Sequence, residues 1–234
     1  MEVSCILAGY NEEKNVISAV KQCVDAMEDA FDDYEIILVD DGSKDSTAAI
    51  MAELAKANSR IRFLPNLINL NFGISVLRGL LAAKHEYVIF NAMDLPLNPK
   101  LYKEILLDMP SCDLMVLERR GYKPSAGRAV TSALNQLFLH VLFPLYMRGN
   151  PVVNFVQVFR RDKLAQILPL ARSPIFVWPE MIFRAKQLGL RVQNKKVPVN
   201  EGQTRKGAFG NPHDIIWGVY DMLRFRIRKY MGRI

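Results

Sequence analysis

The sequence has few cysteines and histidines, and none of them is arranged for metal or disulfide chemistry. Its 234 residues include three histidines and three cysteines, Cys5, Cys23 and Cys112. No CxxC pair occurs and no cysteine clusters with a histidine, which argues against a structural zinc site and a disulfide framework. Cys5 and Cys23 lie in apolar periodic segments, where a free thiol packs as a small hydrophobic group. We therefore expect buried, reduced thiols and a reducing, cytosolic compartment.

Long apolar runs and glycine-rich nucleotide motifs are missing as well. The longest apolar stretch, Leu137 to Met147, is too short to span a bilayer and contains His140 and Pro144. No basic segment followed by a long apolar run opens the chain, so no signal peptide is expected. Neither GxGxxG after the first strand nor GxxxxGK[ST] occurs, which argues against a dinucleotide fingerprint and a P-loop NTPase.

The composition is that of a folded, basic protein. Hydrophobic residues make up 50% of the chain and charged residues 24%, which favours a globular fold over disorder. The length suits one α/β core. A net charge of +7 predicts attraction to an anionic partner, such as a phosphorylated small molecule, an acidic membrane surface or nucleic acid. No recognised nucleic-acid-binding module occurs, so nucleic acid is not an expected partner.

Strand and helix patterns alternate through the first 120 residues. Four strand-helix units and a fifth strand predict an α/β fold with a mostly parallel sheet and helices on both faces. Asn11 is predicted to cap the first helix, and Asn98, before Pro99, the fourth. Later patterns predict an apolar helix at 130–147, a strand at 154–162, helices at 163–171 and 178–189, an edge strand at 190–200 and a helical tail at 215–234.

Polar residues that follow the strands are the candidate ligands of such a sheet, because ligands bind outside the carboxyl ends of parallel strands. An acidic pair after the second strand suits hydrogen bonds to a base and a ribose. Asp94, after the fourth, suits a metal that carries a diphosphate. If no ligand binds, the acidic pair is explained as part of a turn that caps the following helix, and Asp94 as an incidental acid in a loop. The candidates are Asn11, Glu12, Glu13, Asp40, Asp41, Ser43 and Asp94.

Four segments resemble one enzyme family in sequence, order and spacing. They are VSCILAGYNEEKNV, EIILVDDGSKDST, NLNFGISVLRGL and YVIFNAMDLPLNP. They resemble the glycosyltransferase family 2 enzymes of GT-A fold, particularly the dolichol- or polyprenyl-phosphate sugar transferases. Weaker matches, GRAVTSALNQLF, VFRRDKL, PEMIFRAKQLGLRVQNKKVPV and RKGAFG, extend the resemblance to about Gly210. It implies an inverting transferase that takes a sugar from a nucleotide-sugar donor.

The resemblance also implies a donor site. Ala8, Tyr10 and Glu12 would line the base and ribose, and Asp40 would contact the base. The following turn and the glycine before the third helix would complete the site. The residues implied for donor binding are Ala8, Tyr10, Glu12, Asp40, Asp41, Gly42, Ser43 and Gly73.

The metal motif of the family is altered in this sequence. The family's Asp-x-Asp motif aligns with Ala92-Met93-Asp94, so Asp94 takes the place of the acid that binds Mg²⁺ or Mn²⁺. Ala92 replaces the first acid, and Pro96 replaces the Gln of many relatives. One carboxylate can still hold a metal that the donor diphosphate bridges, although more weakly. Alternatively, cations neutralise the diphosphate, and the candidates for this task are Arg205, Lys206, Arg119, Arg120 and Arg128.

The acceptor decides which further residues take part. A lipid phosphate already carries an anionic oxygen and needs cations to hold it. The candidates are Arg119, Arg128 and Arg205, and Ser132 is a further candidate contact of the acceptor phosphate. A hydroxyl acceptor needs a general base, and Glu180 is the candidate by resemblance. Without a catalytic role, Glu180 would be an ordinary acid in the first turn of a helix, where the helix dipole favours it. The implied catalytic residues are thus Asp94, Glu180 and Arg205.

Two segments predict contact with a membrane surface. The helix of residues 134–147 and the tail of residues 215–234 are apolar, and the tail interleaves aromatic side chains with Arg and Lys. Such amphipathic helices can lie in the interface of an anionic bilayer, although packing on the core or on a second subunit also explains them. We expect peripheral attachment at the cytoplasmic face of the cell membrane.

The expected organisation is a GT-A domain over residues 1–210 and a basic amphipathic tail helix over residues 211–234. Residues 1–120 would bind the nucleotide sugar, and residues 121–210 the acceptor. The favoured function is sugar transfer to a polyprenyl or dolichyl phosphate. The alternatives are transfer to a glycan or soluble hydroxyl, with Glu180 as base, and a nucleotide-sugar-binding protein with little turnover, since Ala92 and Pro96 alter the metal motif.

Overall fold

The structure, a computed structural model, describes residues 1–120, 126–147, 156–198 and 212–232. Within these residues, seven strands form one sheet in the order β3-β2-β1-β4-β6-β5-β7. The strands are Glu2–Gly9 (β1), Asp33–Asp40 (β2), Ile61–Pro65 (β3), Tyr87–Ala92 (β4), Leu114–Arg120 (β5), Gln157–Arg160 (β6) and Val192–Pro198 (β7).

Helices cover both faces of this sheet. A 3₁₀ turn at Pro99–Leu101 precedes the short α4, where the sequence predicts a longer helix. The helices are Val16–Met27 (α1), Thr47–Ala57 (α2), Phe72–Ala82 (α3), Tyr102–Leu106 (α4), Ala126–Leu142 (α5), Arg161–Ile167 (α6), Val177–Gln187 (α7) and Pro212–Tyr230 (α8).

The sheet is mostly parallel, as predicted. β1 pairs in parallel with β2 and with β4, β2 pairs in parallel with β3, and β5 pairs in parallel with β7. β6 is the exception, because it runs antiparallel between β4 and β5. β7 lies at the edge, where the predicted edge strand with Pro198 belongs.

Alternating side chains of the strands build two cores. Cys5 and Leu7 point to the core beneath α1, α2 and α4, whereas Ile6 points to the core beneath α3 and the later helices. This two-residue period, with both faces buried, is why the strands read as continuous apolar runs. Cys5 and Cys23 are buried, as predicted, and Cys112 is buried as well.

The first helix starts later than the sequence pattern predicts. α1 begins at Val16, with Asn15 as its N-cap residue, and Asn11 has a left-handed φ of 54°. The prediction that Asn11 caps this helix is therefore wrong, because the chain first makes a turn that residues 11–15 occupy. Asn98 does cap its helical turn, since its side chain accepts a hydrogen bond from Lys100 N at 3.0 Å.

The tail helix α8 packs on the second core. Met222 and Phe225 are buried, and the Phe225 ring lies 5.7 Å from the Phe143 ring of the segment after α5. The Arg184 guanidinium of α7 lies over the same Phe225 ring, with its Cζ 5.6 Å from the ring centroid. One edge of α8 thus belongs to the folded domain. None of the helices in the described residues is long and apolar enough to cross a membrane.

An ion pair joins the starts of β5 and β7. Asp113 Oδ1 accepts from Arg191 Nη2 at 3.0 Å, and Asp113 Oδ2 accepts from Arg191 N at 2.9 Å. The hydrogen bonds from the Arg191 side chain lower the pKa of Asp113 below its usual value. A lowered carboxyl pKa stabilises the fold above the unfolded-state pKa, and this contribution is lost as pH falls through the folded-state pKa.

We predict that Asp113→Asn is less stable than the wild type at pH 7 and that the gap narrows as pH falls below about 4. Urea unfolding at pH 7, 5 and 3.5 measures this gap. Asp25→Asn is the control, because Asp25 pairs with Lys21 on an exposed helix surface and contributes little. A gap that stays constant over this pH range would contradict the proposed ionic contribution of Asp113.

Candidate active site

The ends of three parallel strands bring the candidate residues together. In the sheet register, Gly9 lies beside Asp40, and Ala8 lies beside Ala92. The loops that follow β1, β2 and β4 therefore leave the sheet at adjacent points of its carboxyl edge. Met93 N donates to Ala8 O at 3.1 Å and continues the β1–β4 pairing by one residue.

The turn after β2 is held by its own polar groups. Both carboxylate oxygens of Asp40 lie 3.2 Å from Ser43 N, which donates to them. Ser43 Oγ in turn accepts from Asn11 N at 2.9 Å, and Asn11 Oδ1 accepts from Lys44 N at 2.8 Å. The turns after β1 and β2 are thus joined into one unit.

Gly42 occupies a position that only glycine fits. Its φ is 72°, in the left-handed region, and an added Cβ would lie 2.2 Å from the carbonyl carbon of Ile68. The loop of residues 66–71 therefore packs directly on the Asp40–Ser43 turn. The close approach explains the glycine in the DDGS motif by local geometry.

Asp41 fixes the same loop to the start of α3. Its Oδ1 accepts three hydrogen bonds, from Asn66 Nδ2 at 3.0 Å, Leu70 N at 3.0 Å and Ser75 Oγ at 2.8 Å. Burial raises the pKa of Asp41, and the hydrogen bonds from Ser75, Leu70 and Asn66 oppose this rise. The carboxylate is therefore part of the framework that shapes the edge.

The residues after β1 lie beside the turn after β4. Glu12 is buried, and its Oε2 accepts from Asn15 Nδ2 at 2.6 Å. An added Cβ at Gly9 would lie 3.0 Å from Glu12 Cγ and 3.1 Å from Met93 Cβ. Glu12 and Met93, the residue before Asp94, thus both pack against Gly9. Tyr10 is half-buried, and Ala8 is buried between β2 and β4.

The turn that carries Asp94 is strained and anchored from below. Leu95 has a φ of 41°, which costs a non-glycine residue about 1–2 kcal/mol. Its fully buried side chain holds it there. Asn91 Nδ2 anchors the turn by donating to Leu97 O at 2.9 Å and to the Tyr102 hydroxyl at 2.7 Å. Asp94 stays half-buried at the sheet edge.

The described residues fit only a metal that is shared with a ligand. Among the residues that the structure describes, no three His, Cys, Asp or Glu side chains group together as a metal site. The Ala92 side chain supplies no ligand atom, so Asp94 is the carboxylate that the altered motif offers. Mg²⁺ and Mn²⁺ prefer six oxygen ligands, most of which a diphosphate and water would supply.

The amino end of α3 is packed against a distant loop. An added Cβ at Gly73 would lie 2.3 Å from Ala171 O and 2.7 Å from Arg172 Cα, and Gly73 N donates to Arg172 O at 3.1 Å. The adjacent rings of Phe72, Phe90 and Trp178 meet edge to face. Gly73 therefore serves close packing of this loop on α3.

Glu180 is buried beneath the same loop. Its Oε2 accepts from Leu170 N at 3.0 Å and Ala171 N at 2.7 Å, and its Oε1 accepts from Arg184 Nε at 2.9 Å. Burial raises the pKa of Glu180, and the Arg184 charge opposes the rise. Its side chain is 2% exposed, so the carboxylate faces its partners and not the solvent.

The residues predicted to bind the acceptor or to neutralise the diphosphate are described only in part. Arg119 and Arg120 end β5, which is parallel to β4 and so reaches the same edge, with Arg119 half-buried and Arg120 exposed. Ser132 is exposed on α5. The side chain of Arg128 and the whole of Arg205 and Lys206 lie outside the described residues.

Sequence reasoning missed several residues that shape this edge. Asn66 and Ser75 hold Asp41, and Asn91 anchors the turn of Asp94. Ser75 lies within a segment that the resemblance already covers, so its hydroxyl could have been named as a candidate partner of the motif acids. Asp221 of α8, which accepts from Arg172 N and Ser173 N at 2.9 Å each, had no such signal in a basic tail.

Comparison with known proteins identifies the family to which this chain belongs. The model of glycosyl transferase family 2 matches residues 4–164. Glycosyltransferase AglD of Haloferax volcanii is 29% identical over 200 residues, which is 82% of this chain and 32% of that protein. The undecaprenyl-phosphate 4-deoxy-4-formamido-L-arabinose transferase of Pseudomonas fluorescens is 32% identical over 138 residues, which is 58% of this chain and 40% of that protein. The chain therefore spans well under half of either relative.

Solved structures share the fold. Glucosyl-3-phosphoglycerate synthase of Mycobacterium tuberculosis, in complex with phosphoglyceric acid, has a TM-score of 0.67 at 22% identity, over 96% of this chain and 79% of that one. Mannosyl-3-phosphoglycerate synthase of Rubrobacter xylanophilus has a TM-score of 0.68 at 19% identity, over 100% of this chain and 76% of that one. This likeness confirms the predicted GT-A fold, and at such identity it concerns the fold alone.

We predict that Gly42→Ala lowers the free energy of unfolding by about 3 kcal/mol, because its Cβ would collide with Ile68 and its φ strains alanine. Gly127→Ala on α5 is the control. An added Cβ there has nothing within 4 Å, and alanine favours a helix over glycine. Urea unfolding of both variants measures the difference, and equal stabilities would contradict the packing of Gly42 on residues 66–71.

Proposed function

Because the chain belongs to glycosyl transferase family 2, we propose that it transfers a sugar from a nucleotide-sugar donor to an acceptor phosphate with inversion at the anomeric carbon. The observation that carries this proposal is the meeting of the β1, β2 and β4 ends at one edge, with Glu12, Asp40 and Asp94 on adjacent turns. Acidic and amide groups in that arrangement suit the base, the ribose and the diphosphate of a donor.

Each turn would contact one part of the donor. Tyr10 and Glu12 would line the base and ribose beside Ala8, and Asp40 would turn its carboxylate from Ser43 N to the base. Asp94 would face the diphosphate. A divalent metal held by Asp94 and the diphosphate would supply positive charge to the leaving group. Without it, the same task falls to cationic side chains at this edge.

The acceptor would approach from the side of β5. Arg119 and Arg120 end this strand at the same edge and carry the charge that a phosphate needs. A phosphate oxygen would attack the anomeric carbon of the sugar, while the bond from that carbon to the diphosphate oxygen breaks. The relative named undecaprenyl-phosphate transferase, at 32% identity, supports a lipid phosphate as acceptor.

The contacts of Glu180 support this acceptor over a hydroxyl. A hydroxyl must lose a proton to a base within hydrogen-bond reach, and Glu180 is the candidate by resemblance. Its two oxygens instead hold the 170–171 backbone and Arg184. An anionic phosphate needs no such base. Glu180 as base stays a prediction, and these contacts favour a structural role.

Exposed apolar side chains on α8 support contact with a membrane surface. Ile216, Tyr220, Leu223 and Ile227 follow one another at helical spacing and are each at least 45% exposed. Exposed apolar residues also line α5, and Arg226 is exposed beside the α8 row. Lys229, by contrast, is used inside the fold, where it contacts the Tyr146 ring. We propose peripheral attachment of this surface to the cytoplasmic leaflet.

A thermal-shift panel tests the donor. We expect UDP, GDP, CDP or dTDP, with Mn²⁺, to raise the unfolding temperature of the wild type, because a ligand of the native state stabilises it. Asp94→Ala should remove the part of the shift that depends on Mn²⁺ and lower kcat/KM at least tenfold. Glu53→Ala, an exposed acid on α2, is the control. Nucleotide binding without transfer from any nucleotide sugar would favour the binding-protein alternative.

Flotation with vesicles tests the surface. We expect the wild type to float with phosphatidylglycerol vesicles and the double variant Ile216→Glu, Ile227→Glu to remain below. The control is Leu81→Glu, Leu107→Glu, which changes two side chains of similar exposure on α3 and after α4. Equal flotation of both double variants and the wild type would contradict attachment through α8.

A further inference from the structure

Two buried carboxylates from different helices fix the loop of residues 170–173. Its four successive backbone N–H groups are all used: Glu180 of α7 accepts the first two, and Asp221 of α8 the second two, at 2.7–3.0 Å. Hydrogen bonds to an ionised acceptor are stronger than neutral ones. The loop conformation is therefore set by α7 and α8 together.

Asp221 is built into this position. It is 5% exposed, and an unpaired buried carboxylate would be costly. The hydrogen bonds from Arg172 N and Ser173 N offset that cost. Arg224 and Arg228 line the same small cavity as Asp221 and Glu180. Gly218, one turn earlier, lets α8 approach the loop, since an added Cβ there would lie 3.1 Å from Ile175 Cβ.

The loop passes this constraint to the start of α3. Gly73 N donates to Arg172 O at 3.1 Å, and the Gly73 Cα packs without room for a Cβ against Ala171 and Arg172. Two residues further on, Ser75 Oγ donates to Asp41 at 2.8 Å. Hydrogen bonds and close packing thus run without a break from α8 to the turn after β2.

We infer that Asp221 is a positioning residue for the donor, which it affects by holding residues 170–173 against the amino end of α3. This inference rests on the proposed donor site. Asp221 would not touch the donor itself. Its loss would release Arg172 N and Ser173 N, loosen the seat of Gly73, and weaken nucleotide binding while leaving the core of α8 in place.

The test compares Asp221→Ala with Met222→Ala in the full chain. Met222 is its buried neighbour on α8, so the control also destabilises the helix but keeps the hydrogen bonds to the loop. Hydrogen exchange of the amides of Gly73 and Ser75 is measured without ligand. The dissociation constants of UDP and GDP are then measured, each with Mn²⁺.

We expect Asp221→Ala to speed hydrogen exchange at these amides. We also expect it to raise the dissociation constant of the nucleotide that the wild type binds by about tenfold. Met222→Ala should lower the unfolding temperature with little change in either quantity. Asp221→Asn, which keeps one acceptor oxygen, should lie between Asp221→Ala and the wild type.

Unchanged exchange in Asp221→Ala would overturn the inference, as would faster exchange with unchanged nucleotide affinity. An equal loss of affinity in Met222→Ala would also overturn it, because the effect would then be one of general stability. A wild type that binds neither nucleotide with Mn²⁺, nor any other in the panel, contradicts the proposed function. The exchange result then still decides whether Asp221 holds the start of α3.

Discussion

Parallel pairing of β1 with β2 and β4 is the constraint on which the candidate site depends. Parallel strands end at the same edge, so three loops from distant parts of the sequence begin within a few ångströms of one another. A shift of one residue in the register would turn every strand side chain to the other face. Because both faces are packed with apolar side chains, the cores fix the register, and the register fixes the site.

Buried carboxylates are the second feature that shapes the candidate site, because they fix the conformations of the loops around it. Asp41 accepts hydrogen bonds from residues 66–75, and Glu180 and Asp221 each accept two from the backbone of residues 170–173. A loop without secondary structure leaves its N–H groups unsatisfied, and an acceptor beneath it both satisfies them and selects one conformation. The edge is therefore shaped before a ligand arrives, which lowers the entropy that binding must overcome.

The sequence predicts the fold well where apolar periodicity is strong. β1, β2 and β4 are buried on both faces, so their composition alone identifies them, and the DDGS turn follows from its glycine. The antiparallel insertion of β6 between β4 and β5 could not be predicted, because a strand of four residues has no signal of direction. Asn11 was mistaken for a cap, since a left-handed Asn and a cap residue share the same preference for loops.

The sequence predicts the motif residues of the candidate site but not the residues that support them. Motif residues such as Asp40 and Asp94 stand out by type and place, whereas their supports depend on tertiary contacts. Asp221 lies 180 residues from Asp41, and its carboxylate stands among arginines that indicate a surface. Glu180 shows the opposite difficulty, because an acid in a first helical turn has the same sequence whether it faces a substrate or a loop.

The place of β6 also divides the molecule. Strands β3, β2, β1 and β4 carry the proposed donor edge, and β5, beside β7, carries the arginines proposed for the acceptor. β6 is the shortest strand of the described sheet and the strand that links these two groups. The sheet therefore has its fewest hydrogen bonds between strands along β6, which separates the proposed donor edge from the arginines proposed for the acceptor. The proposed donor and acceptor would meet across this line, where a small rotation of one part of the sheet against the other would break the fewest hydrogen bonds between strands.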